Sequence, residues 1–181
     1  MIVGIAGKKG VGKSTLANYL VDKGFFYPAS FAAPLKQMVR VLLQEIGVDG
    51  VDINAAEQDK EAIIDKIGES YRTLLQTLGT DWGRNLNPDI WLLCAEHRLK
   101  RLYQANIIFD DLRFANEADF IRERGGLIIH LGRDTGMTDN HSSELGVKRQ
   151  PGDVCLYNND TLDELFSVVH SALAKHYGYL A

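Results

Sequence analysis

Eight consecutive residues near the amino terminus have the types and spacing to hold a polyphosphate: Gly7-Lys8-Lys9-Gly10-Val11-Gly12-Lys13-Ser14. They fit the pattern GxxxxGK[ST]. Glycines let the backbone turn sharply and bring its N–H groups against phosphate oxygens with no Cβ in the way. A helix that follows such a loop points its positive end at the same phosphates. Lys13 can reach β- and γ-phosphates, and the Ser14 hydroxyl can coordinate Mg²⁺.

A phosphate loop of this kind needs a carboxylate at the end of another buried strand. Asn106-Ile107-Ile108-Phe109-Asp110-Asp111 supplies one, apolar and closed by two acids. Asp111, or Asp110 beside it, is the candidate metal partner. Neighbouring residues on a strand point to opposite faces, so the two are not expected to serve equally. Cations must hold an anionic acceptor and neutralise charge in the transition state. Arg72, Arg84, Arg113 and Arg133 all sit at element ends or in the long middle segment. No side chain stands out as a general base. His130 lies inside an apolar strand and reads as a satisfied core or rim histidine. His141 has Glu144 three residues later but no third ligand at metal spacing, so a zinc site is rejected.

The elements that would position these groups are legible in outline. Ile2–Ala6 is a short β-branched run before the loop, and Leu16, Ala17, Leu20 and Val21 repeat at helical spacing after it, with Gly24 as a stop. Phe25–Phe31 reads as a strand with Pro28 at its centre. Leu35, Met38, Val39, Leu42, Leu43 and Ile46 give one apolar helical face, read as core. Residues 48–70 are polar, with a short helical pattern at Ala62, Ile63, Ile64 and Ile67. Arg72 to Leu78 predicts a helix stopped near Gly79, and Asn87-Pro88 starts another. In that helix Trp91, Ala95, Leu99 and Leu102 are expected to face inward. Strands at 106–111, 127–131 and 154–157 follow, with a helix over about 116–124 and a last one opened by the Thr161/Glu164 capping box.

Near-continuous apolar strands separated by helices predict an α/β fold, a parallel sheet covered on both faces. The segment between the second and third strands exceeds what one crossover requires, so an all-helical insertion is expected there. Ligands in such sheets lie at the carboxyl ends of the strands. The phosphate loop, the Asp110/Asp111 pair and Arg133 all fall at such ends and should converge.

With 181 residues the chain suits one well-buried core. Its net charge of −4 argues against gripping a nucleic-acid polymer and leaves room for a locally cationic nucleotide pocket. No stretch reaches the roughly 18 apolar residues of a membrane span. The amino terminus does not read as a signal peptide. Cys94 and Cys155 have no metal or redox spacing and read as reduced thiols of a cytoplasmic protein.

Several segments beyond the phosphate loop resemble the phage-type deoxynucleoside monophosphate kinases. They are FAAPLK (Phe31 to Lys36), LLQTLGTDWGR (Leu74 to Arg84), NPDIW (Asn87 to Trp91), DLRFANEAD (Asp111 to Asp119) and DNHSSE (Asp139 to Glu144). They occur in the family's order. The resemblance implies a three-layer P-loop NTPase fold as a single domain over 1–181, with a helical acceptor-binding insertion at about 48–105 and a lid at about 133–146. It implies transfer of the ATP γ-phosphoryl group, with Mg²⁺, to a deoxynucleoside 5′-monophosphate. Gly7, Lys9, Gly10, Val11, Gly12, Lys13, Ser14 and Thr15 would surround ATP, and Ser14 with Asp111 the metal. Lys13, Asp111, Arg113 and Arg133 would be catalytic. Lys36, Arg72, Gln76, Asp81 and Arg84 would line the acceptor side. The implied partner is a small molecule, with no nucleic-acid polymer and no membrane; a homodimer is left open. Asp110 departs from the family, which often has a small residue there. The alternatives are another small-metabolite kinase on the same scaffold, such as a dephospho-coenzyme A kinase, and a non-catalytic nucleotide switch.

Overall fold

The computed structural model describes residues 1–102, 105–133, 147–159 and 161–178. The lid expected beyond Arg133, with His141 and Glu144, lies outside them. Along the chain run β1 (Ile2–Ala6), α1 (Lys13–Asp22), β2 (Tyr27–Ala29), α2 (Ala33–Glu45) and α3 (Gly50–Gln58). A short hairpin follows, β3 (Ile63–Ile64) and β4 (Glu69–Ser70). Then come α4 (Tyr71–Gln76), a π-helical segment (Thr77–Arg84) and α5 (Ile90–Arg101). The chain continues through β5 (Ile107–Phe109), α6 (Ala115–Arg122), β6 (Leu127–Gly132), β7 (Val154–Tyr157) and α7 (Leu162–Tyr177).

Two compact units form, one from Met1–Phe31 with Arg98–Ala181, the other from Ala32–His97. The first carries a five-stranded sheet in the order β2-β5-β1-β6-β7, parallel at every pair, as the apolar strand runs predict. Central strands bury both faces, with Ile128 of β6 fully buried on one and Val3 and Ile5 of β1 and Leu127 and Ile129 of β6 fully buried on the other. The latter four pack with Leu16 and Leu20 of α1 and Val169 and Leu173 of α7 in one cluster. β1 leads to β2 on one side, whereas β5 leads across β1 to β6 on the other. The switch point therefore lies between β1 and β5, where a ligand crevice is expected at the carboxyl ends. Only three residues of the Phe25–Phe31 run pair, with Pro28 opposite Ile108. β2 is an edge strand, which tolerates a residue lacking an N–H.

The second unit departs from the sequence expectation in three ways. It is not all helical, because Ile63–Ile64 pairs with Glu69–Ser70 as an antiparallel hairpin instead of forming a helix. The helix of this stretch lies earlier, over α3, started by the Asp49 carboxylate, which accepts from the N–H groups of Val51 and Asp52 at 2.8 Å each. The predicted stop at Gly79 also fails, and the chain runs on through the π-helical segment. Gly79 is held there because its carbonyl accepts from the buried Trp91 Nε1–H at 2.9 Å. On α2 only the Leu35, Val39 and Leu43 row joins the core; Met38, Leu42 and Ile46 are exposed. Val39 and Leu43 pack with Ile53, Ile64 and the buried Tyr71.

Candidate active site

The loop between β1 and α1 is built for an anion. Gly12 is the residue before α1 and sits at φ 102°, a conformation that side chains rarely adopt. Gly7 packs so closely that a Cβ would stand 2.3 Å from the Leu131 carbonyl oxygen. The first turn of α1 has neither a side-chain cap nor an acidic residue. By contrast, α7 has the Thr161 cap with Asp163 and Glu164 in its first turn. The N–H groups at the start of α1 thus have no side-chain cap, an arrangement that suits an anion. Lys13 folds back over the loop, donating from Nζ to the carbonyls of Gly7 at 2.7 Å and Lys8 at 2.8 Å. Burial and the positive charge of Arg113 pull its ammonium below the ordinary lysine range, and the Asp110 carboxylate partly opposes them. Lys13, Asp110 and Arg113 therefore share one electrostatic neighbourhood.

The two aspartates after β5 separate as adjacent residues must. Ser14 Oγ donates to Asp110 Oδ2 at 2.7 Å. Asp111 instead accepts from Ser30 Oγ at 2.6 Å and from the Phe31 N–H at 3.2 Å. The resemblance gives Asp111 to the metal with Ser14 and leaves open which of the two aspartates faces it; Asp110 is the one bonded to Ser14, and Asp111 ties the end of β2 to the end of β5. Ser30 was not singled out in the sequence, where a lone serine at a strand end carries no signal.

Arg113 is held through its backbone. The Glu117 carboxylate accepts from the N–H groups of Arg113 at 2.9 Å and Phe114 at 3.1 Å, and Glu117 is buried. A glutamate three residues after the helix-start residue is the available signal for this clamp. Arg133 donates from Nε to the Asn158 carbonyl at 3.1 Å, and the Asn158 amide donates to the Val11 carbonyl at 3.0 Å. The first unit thus brings Lys13, Ser14, Asp110, Arg113 and, through Asn158, Arg133 to the phosphate loop. Lys9, Gly10, Val11 and Thr15 lie in the loop and the first turn of α1.

The five expected acceptor residues all lie in the second unit. Lys36 is exposed in the first turn of α2. Arg72 and Gln76 share a face of α4 at a spacing of four, and Arg72 pairs with Glu61. Asp81 and Arg84 ride on the π-helical segment, with Arg84 donating to the Pro88 carbonyl at 3.1 Å. Of the aromatic residues here, Tyr71 and Trp91 are buried, and Trp82 is 46% exposed.

A family model described as deoxynucleotide monophosphate kinase matches residues 41–169. The chain belongs to this family. A putative deoxynucleotide monophosphate kinase of Acanthamoeba polyphaga mimivirus is 33% identical over 188 residues, covering 96% of each chain. The deoxynucleotide monophosphate kinase of Escherichia phage RB69 is 31% identical over 143 residues, 71% of this chain and 55% of that relative. Its counterpart from Enterobacteria phage T4 is 34% identical over 110 residues, 58% of this chain and 45% of the relative. Among solved structures, TT1252 from Thermus thermophilus superposes with a TM-score of 0.50 at 17% identity, covering 98% of both chains, a likeness of fold. As a deoxynucleotide monophosphate kinase by family, the chain is an enzyme that transfers a phosphoryl group from a nucleotide. Among the described residues no helix is long and apolar enough to cross a membrane.

Proposed function

We propose that this chain transfers the γ-phosphoryl group of ATP, with Mg²⁺, to the 5′-phosphate of a deoxynucleoside monophosphate, giving the diphosphate and ADP in the cytoplasm. The observation that carries this reading is the Ser14–Asp110 contact of 2.7 Å, which joins the end of the phosphate loop to the end of β5. A hydroxyl and a carboxylate are hard oxygen donors of the kind Mg²⁺ takes beside nucleotide phosphates. Ser14 and Asp110 would hold the ion, which would supply positive charge to offset that of the nucleotide phosphates.

The remaining chemistry belongs to the chain. The backbone N–H groups of Gly7 to Thr15 and the open first turn of α1 hold the donor's phosphates. An acceptor phosphate oxygen bonds to the γ-phosphorus as the bridging P–O bond breaks, and its electron pair leaves with ADP. No proton need be taken from the nucleophile, since a phosphate monoester has its second pKa at about 6. Positioning and charge neutralisation then suffice. Lys13, Arg113 and Arg133 supply the positive charge. Asp110 takes the metal role that the resemblance gave Asp111, and Asp111 positions the loop after β2. Lys36, Arg72, Gln76, Asp81 and Arg84 bind the acceptor; the last four lie in the insertion at about 48–105, and the stretch at about 133–146 is the lid.

A coupled ADP-release assay with ATP and Mg²⁺ against each deoxynucleoside monophosphate, each ribonucleotide and dephospho-coenzyme A tests the proposal. Turnover is expected with one or more deoxynucleotides. Silence across them, with ATP still bound, overturns it. In the same assay Arg84→Ala should raise the acceptor KM more than the ATP KM; the reverse removes Arg84 from the acceptor side.

A further inference from the structure

Asn158 follows β7 directly and is 6% exposed. Three polar groups of this one residue tie three parts of the first unit together. Its backbone N–H donates to the Gly132 carbonyl at 2.8 Å, extending the β6–β7 ladder one step beyond the Gly132–Tyr157 pair. Its backbone carbonyl accepts from Arg133 Nε at 3.1 Å. Its side-chain amide donates to the Val11 carbonyl at 3.0 Å, inside the phosphate loop. The amide also lies against Gly12, where a Cβ would stand 2.6 Å from Nδ2. That contact is a second reason for glycine at this position, separate from its left-handed backbone.

A carbonyl that faces a buried donor has one preferred orientation, and the N–H of the following residue lies in the same peptide plane and turns with it. Orientation of the Val11 carbonyl therefore governs how the Gly12 N–H, in the same peptide plane, is presented to an anion. We propose that Asn158 is a positioning residue of this kinase, which sets the phosphate loop for the nucleotide donor and carries the end of β6, with Arg133, in the same frame. The inference rests on the reading that the loop holds ATP. Only the Val11 tie runs through the side chain, so a side-chain variant releases the loop and keeps the two backbone ties.

The test is steady-state kinetics with displacement of a fluorescent ATP analogue, on the wild type and on Asn158→Asp. The variant keeps the shape, loses the donor and adds a negative charge near the phosphates, so Asn158→Ala, which loses the donor without adding charge, is measured beside it and must show the same direction of change. Leaving a buried carbonyl without its donor is expected to weaken apparent ATP affinity about tenfold or more. The acceptor KM should stay within about twofold. A residue that served stability alone would lower the folded fraction and leave the ATP KM of the remaining enzyme unchanged. Should the aspartate variant fail to fold, Asn158→Ala alone provides the comparison. Wild type that binds ATP, beside a folded variant with equal ATP KM and affinity, overturns the role of Asn158 alone. Wild type that binds no ATP overturns the parent reading and this inference with it.

Discussion

At the scale of single residues, the separation of Asp110 from Asp111 matters most. Both carboxylates follow the same strand, and one meets Ser14 while the other meets Ser30 and the Phe31 N–H. A carboxylate that meets the loop hydroxyl can share a cation with it; one that staples β2 to β5 orders backbone. Asp110→Asn is therefore expected to raise the Mg²⁺ concentration needed for half-maximal turnover by about tenfold or more, the loss of one charged oxygen donor. Asp111→Asn should leave that requirement nearly unchanged while lowering thermal stability. A magnesium titration of both variants checks this, and a shift confined to the Asp111 variant would exchange their roles. The pair of acids was visible in the chain. Which of them met Ser14 was not, because that depends on the twist and exit of a three-residue strand.

At the scale of elements, the π-helical segment decides how LGTDWGR is presented. A wider turn needs close approach at its inner side, and two glycines provide it. Gly79 is buried with its carbonyl bonded to Trp91, and a Cβ on Gly83 would stand 2.4 Å from Trp91 Cζ2. The indole cannot retreat without breaking its hydrogen bond. Gly83→Ala should thus cost about 1–3 kcal/mol of stability, the range for overpacking a tight site. Denaturant unfolding measures it, and an unchanged midpoint would mean the turn gives way freely. From sequence alone, Gly79 read as a helix stop. It became an interior position because a tryptophan twelve residues on filled the space and took the carbonyl.

At the scale of the whole molecule, a charge network holds the stretch before β7 to α6 and β6. Asp153, with its side chain 3% exposed, accepts from Arg122 at 2.7 and 3.1 Å and from the Gln150 N–H at 2.9 Å. It also bonds His130 Nε2 at 2.9 Å. Burial by itself would raise the Asp153 pKa. The hydrogen bonds from Arg122, Gln150 and His130, with the Arg122 charge, outweigh it and hold the pKa below the ordinary 3.8. A depressed carboxylate contributes its full stability above its unfolded pKa and loses it as pH falls through the lower folded value. Asp153→Asn should accordingly be less stable at neutral pH by about 3 kcal/mol, the scale for breaking a buried pair. The gap from wild type should narrow below about pH 4. Unfolding curves across pH 2–7 test this; a gap independent of pH would remove the ionised carboxylate as its source.

What the sequence by itself determined was local: β1, the phosphate loop, the Thr161/Glu164 box and β7 at Val154–Tyr157. In each, neighbours in the chain satisfy one another through strand periodicity, glycine geometry or a reciprocal cap. Only the tertiary structure decided contacts that span the chain. It chose Asp110 for Ser14, ninety-six residues away, and set Asn158 on Val11, one hundred and forty-seven away. It also left Met38, Leu42 and Ile46 outside a core that took Leu35, Val39 and Leu43. Periodicity shows that a face is apolar, but which row of it is covered depends on what other elements bring against it. Lone polar residues such as Ser30 and Asn158 become informative only when folding removes water and a distant partner has to replace it.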